Sequence, residues 1–250
     1  MFLIKILPFI IFLSFESYAH VETEISTYSN FIWRGTTFSE NRPVIQLTAD
    51  SETKSGFFIS GFASNAEFSD EAMGKNSQVT QEVDLGFGKR WKFQTSEIQF
   101  SYNRFLFPGA QVFESDEINL YLNISRFILE LSFMDDYFGY EGAYRYIRLG
   151  HEWNYTKSLG GTIFIGYNSF DNPKGKIKTR GDAQTTTGAG NPDYIDIYFT
   201  NRKNLNNDLT IELAINWTNR YEYSVQDDII NKEKANDFAV ILGLSYPFNL

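Results

Sequence analysis

The 250-residue sequence contains no cysteine, only two histidines, His20 and His151, and only six prolines. It also has no apolar run near the roughly 18 to 20 residues that a membrane-spanning helix needs. The missing cysteines exclude disulfide-stapled secreted folds, thiolate metal sites and a lipid-modified N-terminal cysteine. With so little histidine, a nucleophile–base pair has few ways to be assembled. His20 stands beside an expected cleavage site, and His151 shares a face with Leu149, Trp153 and Tyr155. Lysine and arginine are in deficit, 22 against 31 acidic residues for a net charge of -9, which argues against nucleic acid or an anionic membrane surface as partner. No metal or nucleotide motif occurs, so no cofactor is expected. Catalysis is not expected either.

Aromatic residues are abundant, at 17% of the chain with 24 Phe and 15 Tyr, yet the mean hydropathy is -0.31. A transmembrane β-barrel reconciles the two numbers. Its strands alternate lipid-facing apolar residues with lumen-facing polar ones, and aromatic girdles mark both interfaces. At the start of the chain, Lys5 precedes an apolar run from Ile6 to Phe15, followed by Ser17-Tyr18-Ala19. This is the pattern of a secretory signal peptide over residues 1–19, leaving 20–250 as the barrel domain.

Beyond Val21 the hydrophobic period is two. Ile118, Leu120, Leu122 and Ile124 alternate with Asn119, Tyr121, Asn123 and Ser125; Leu209, Ile211, Leu213, Ile215 and Trp217 alternate with Thr210, Glu212, Ala214 and Asn216. About twelve such runs occur, ending in Phe238 to Leu250 with seven apolar residues on one face. The predicted fold is therefore all-β, an antiparallel barrel of about twelve strands. Short links, such as Glu52 to Ser55, Arg90 to Gln94, Thr156 to Gly161 and Asn204 to Asn207, alternate with longer ones. The longer ones are Arg34–Pro43, Ser69–Ser77, Phe107–Asp116, Asp135–Gly142, Asp171–Pro192 and Asn219–Asn236. That sorting suits short periplasmic turns and long extracellular loops.

The segment Ser29-Asn30-Phe31-Ile32-Trp33-Arg34-Gly35, followed by Ser39, Pro43, Gln46 and Asp50, resembles the opening of the TorF family of porins. Gly56 to Gly61 with Ser64-Asn65, Glu82 to Gly86, and Phe107-Pro108-Gly109-Ala110 fit in the same order, so the resemblance covers roughly residues 26 to 125. It implies an outer-membrane barrel, and the family owes the name of porin largely to its architecture. The implied partners are outer-membrane lipid and lipopolysaccharide, the barrel-insertion machinery and small hydrophilic solutes; assembly into oligomers is compatible with the pattern.

Trp33 at the end of the first strand suits the membrane interface, Arg34 the lumen wall or outer rim, and Gly35 the turn into the first loop. The polar strand faces carry the candidate lumen residues Glu82, Asp84, Glu97, Glu117, Glu130, Arg148, Glu152, Asp196 and Glu212, with Arg34 as a tenth. Carboxylates dominate, and rings of carboxylates favour cations in a pore. Two readings follow. In one, the chain is a porin-like channel for passive diffusion of small hydrophilic solutes or ions, with a preference for cations. In the other, the charges pair with Arg104, Arg145 and Arg148 across a closed lumen, and the barrel acts through its extracellular loops as a receptor, adhesin or envelope-structure protein.

Overall fold

The structure, a computed structural model, describes residues 20–69, 78–171, 194–205, 209–226 and 229–249. The expected signal segment, most of the 171–192 loop and Asp227-Asp228 lie outside these residues. Twelve strands form a closed antiparallel barrel. In chain order they are β1 (His20–Tyr28), β4 (Val44–Glu52), β5 (Phe57–Ser69), β6 (Gln78–Lys92), β7 (Ser96–Leu106), β8 (Ser115–Ile124) and β9 (Phe127–Tyr137). The series continues with β10 (Tyr140–Thr156), β11 (Leu159–Phe170), β12 (Tyr194–Asn204), β13 (Thr210–Gln226) and β14 (Ile229–Asn249). Between β1 and β4 lies a separate small hairpin of β2 (Ile32–Trp33) and β3 (Thr36–Thr37).

Closure comes from pairing β1 with β14, from Glu22 opposite Asn249 to Tyr28 opposite Gly243. A closed barrel leaves no unpaired edge, the condition under which strands can cross a bilayer with every backbone group satisfied. The period-two sequence does the rest. Ile25, Leu47, Leu85, Phe100, Ile118, Ile147, Leu149, Ile165 and Leu242 are exposed on the outer wall, while Ser26, Gln46, Ser101, Asn119, Asn168, Thr200 and Asn216 are buried on the inner one. This arrangement is the reverse of a water-soluble protein and suits a hydrocarbon surround. Exposed Trp91, Phe93, Phe127, Tyr155 and Tyr246 cluster toward the short-turn end, as an interfacial girdle does.

Three loop expectations change. Asp135–Gly142 is not a long loop: β9 reaches Tyr137 and β10 begins at Tyr140. Phe138 and Gly139, both at positive φ, make a two-residue turn of the kind that matches strand twist. Asp136 and Phe138 are buried there, held by the Ser115 hydroxyl, which donates to Asp136 at 2.6 Å and accepts from the Phe138 amide at 2.9 Å. Asn219–Asn236 is likewise strand, paired continuously from Asn219 opposite Asn236 to Gln226 opposite Ile229. The alternation of Tyr221, Tyr223 and Val225 with Glu222 and Ser224 favours that extension. Arg90, expected in a turn, lies within β6.

Candidate functional site: a lumen crossed by the first loop

The first loop folds into the barrel. Its tip, Trp33-Arg34-Gly35-Thr36, is a two-residue hairpin turn with φ of 48° at Arg34 and 78° at Gly35. Positive φ at both positions is what a tight turn between right-twisted strands demands. Glycine adopts it freely, whereas for arginine it costs on the order of 1 to 2 kcal/mol. Something must hold the strained residue in place, and the barrel wall supplies it from two sides.

On one side, the Arg34 guanidinium donates to Glu117 of β8 at 2.5 Å, to Glu130 of β9 at 3.1 Å and to the Ser132 hydroxyl at 2.6 Å. Burial disfavours an isolated charge there, and the two carboxylates offset that cost. The guanidinium carbon lies 4.2 Å from the Trp33 ring centre and 4.4 Å from that of Tyr146, close enough for cation–π attraction. On the other side, the Tyr194 hydroxyl of β12 donates to the Arg34 carbonyl at 2.9 Å, and the Thr218 hydroxyl of β13 donates to the Gly35 carbonyl at 3.0 Å. A side chain on Gly35 would meet Thr218 Oγ1 at 2.6 Å and the Cβ of Asp196 at 2.9 Å, so the backbone must approach that wall bare. The hairpin thus spans the lumen.

Trp33 corrects the interface expectation: it points inward. Its ring lies 5.3 to 6.4 Å from those of Phe38, Phe105, Tyr137, Phe138 and Tyr144. Phe107, Phe113, Met134, Tyr146 and Phe170 belong to the same buried cluster, which Phe31 and Val112 flank. A hydrophobic core therefore fills the lumen toward the long loops. No period-two reading finds it, because the strand residues involved sit on the nominally polar face and the remainder come from loops.

The ten candidate residues are placed as follows. Arg34, Glu117, Glu130 and Arg148 form one network, with Arg148 donating to Glu130 at 3.4 Å and lying 3.4 Å from the Phe164 ring centre. Asp196 stands across the lumen, accepting from Asn168 at 2.9 Å and Tyr146 at 3.4 Å. Glu82 and Asp84 share the inward row of β6, since Leu85 on the other face is exposed. Glu97 lies 3.7 Å from Arg90, Glu212 pairs with Arg202, and Glu152 is half-buried. Of the three arginines expected to pair across the lumen, only Arg148 faces inward, and its partner Glu130 stands opposite it on the neighbouring strand. Arg104 pairs with Glu114 and Asp116, each at 2.8 Å, on the opposite face of its strand from Ser101 and Asn103, and Arg145 is exposed beside inward Tyr144 and Tyr146.

Beneath the hairpin is a cavity of about 490 Å³, lined among others by Arg34, Asp84, Glu117, Glu130, Phe62 and Tyr121. A second, of about 380 Å³, lies at the short-turn mouth among Glu22, Asp50, Glu52, Lys54, Arg90 and Lys92. Arg90, which sequence reading missed as an inward residue, donates to Glu52 at 2.6 Å and to Gln99 at 2.9 Å. Among the described residues no group of three or more His, Asp or Glu is placed to hold a metal ion.

A closed twelve-stranded barrel with an apolar outer wall and a charged inner one has the architecture of the outer-membrane channels. Solved structures bear the likeness out for the fold. A KdgM porin matches at TM-score 0.50 with 8% identity, covering 91% of this chain and 98% of that one. The NanC porin matches at 0.52 with 8% identity over 90% and 98%. The COG4313 outer membrane channel from Pseudomonas putida F1 matches at 0.51 with 9% identity over 94% and 98%. By sequence, residues 15–178 match the family described as "Bacterial protein of unknown function (Gcw_chp)", and the chain belongs to that family. Comparison with curated proteins finds no match.

Proposed function

We propose that the chain is a porin-like channel of the bacterial outer membrane, exported by its N-terminal signal segment, that passes small hydrophilic solutes through a lumen narrowed by its own first loop. The observation that carries this reading is the cavity of about 490 Å³ inside a closed barrel, walled by charged and polar side chains on strands whose other face is apolar. Its resemblance to the TorF porins over residues 26 to 125 points the same way, since that stretch includes the hairpin Trp33-Arg34-Gly35. Passage is by diffusion, with lumen width and charge as the filter. Carboxylates on the inner wall favour cations.

The second reading, a closed barrel acting through its extracellular loops, is favoured by the aromatic cluster around Trp33, which fills the lumen on the long-loop side. The two separate in a planar bilayer holding the refolded protein under a salt gradient. Discrete conductance steps with a cation-favouring reversal potential are expected of the channel. Inserted protein that stays silent, and remains silent when Arg34→Ala loosens the hairpin, would remove the channel reading in favour of the loops.

A further inference from the structure

The cavity beneath the hairpin is electrically unbalanced. Four carboxylates line it, those of Asp50, Asp84, Glu117 and Glu130, against two guanidiniums, Arg34 and Arg90. Both guanidiniums are already engaged, Arg34 by Glu117 and Glu130, Arg90 by Asp50 and Glu52. Asp84 is left over: its Oδ1 is buried with no hydrogen-bond partner among the described residues. Glu82, two residues along the same inward row, is 2% exposed and stands outside the cavity's lining. A carboxyl group whose oxygen is held away from water without a partner ionises only at a cost of several kcal/mol. A cation in the cavity would offset that cost at Asp84.

The walls say what kind of cation. Trp33, Phe62, Phe105 and Tyr121 face the same space. Aromatic faces beside carboxylates attract organic cations, whereas the described residues offer no metal-ligating cluster. The protein carries its own example of this chemistry in Arg34, whose guanidinium sits between two carboxylates and against two rings. The volume falls within the ~300 to 1,000 Å³ of small-molecule sites.

We infer that the cavity under the Arg34 hairpin is a binding site for a small organic cation, a guanidinium or primary ammonium compound, recognised by Asp84 with the aromatic wall around Trp33. The inference deepens the channel reading by naming the solute class, and rests on it in that the solute reaches the site through the lumen.

The test uses the refolded chain in detergent, titrated with methylguanidinium chloride and, as the isosteric neutral probe, N-methylurea, with tryptophan fluorescence as readout because Trp33 lines the site. Saturable binding of methylguanidinium is expected, with a dissociation constant on the order of 1 mM and no saturation by N-methylurea. Asp84→Asn should weaken it at least tenfold while the barrel keeps its heat-modifiable gel migration. If that variant misfolds, Asp84→Glu, which keeps the charge but displaces it and is expected to weaken binding severalfold, takes its place. Equal response to both probes, no saturation, or binding indifferent to the substitutions would overturn the site. Conductance is read separately in bilayers: a barrel that conducts without binding loses only the site, and one that binds without conducting loses the channel reading.

Discussion

The two halves of the lumen are built from the same strands and the same inward positions, yet they solve opposite problems. Toward the long loops, inward Phe105, Tyr137, Tyr144 and Phe170 meet Trp33 and Phe38 from the first loop and exclude water, as a soluble core does. Toward the short turns, inward Asp50, Glu52, Arg90 and Lys92 leave open volume between them. The division falls at Arg34, whose rings lie above and whose carboxylates line the space below. The free width of the lumen is therefore set by a loop residue pinned to the wall, with strand number fixing only the outer limit.

The strongest way to break the division is to remove its pin. Arg34→Ala leaves Glu117 and Glu130 buried without their principal counter-charge, an expected loss of about 3 to 5 kcal/mol. Urea titration of the barrel in lipid vesicles measures that loss, and single-channel conductance should rise severalfold as the hairpin leaves the lumen. An unchanged conductance would mean that the hairpin does not set the width. Trp33→Ala acts first on the upper half, where most of the ring's contacts lie, although the ring also borders the cavity below. Loss of its ring contacts should also cost about 3 to 5 kcal/mol, but with a smaller conductance change, because Arg34 keeps its carboxylate and hydroxyl partners.

Gly35→Ala sharpens the comparison from the other wall. The new methyl group meets Thr218 and Asp196 and carries a disfavoured φ, for an expected cost of about 1 to 3 kcal/mol. Channel noise from a hairpin that detaches intermittently is the readout. The smallest effect belongs to the lower half. Glu52→Gln removes a carboxylate shared by Arg90 and the exposed Lys92 and should alter stability by about 1 kcal/mol or less. It should nonetheless move the reversal potential away from cations, most visibly at low salt. A large destabilisation there would show that the mouth is part of the fold's scaffold.

Much of this architecture was legible in the residues. Alternation such as Leu209 to Trp217 set the strands and the outward face, because a strand's side chains point to opposite sides with a period of two and lipid admits only one kind. The same parity sends Glu82, Asp84, Glu117, Glu130 and Asp196 inward. Parity fails where loops are concerned. Trp33-Arg34-Gly35 reads equally well as an interfacial strand end, and Tyr137 to Tyr140 as an exposed loop, since nothing local says whether such a segment turns out to water or in to the lumen.

The sequence by itself determined an all-β barrel with an apolar outside and a carboxylate-rich inside, because period-two patterning is a local property of each strand. Only the tertiary structure decided that Arg34 meets Glu117 and Glu130 across separations of 83 and 96 residues, that Trp33 packs into a buried core, and that Asp84 Oδ1 finds no hydrogen-bond partner among the described residues. Those are contacts across a closed lumen, and barrel closure, with its register from β1 to β14, is what brings the groups within reach.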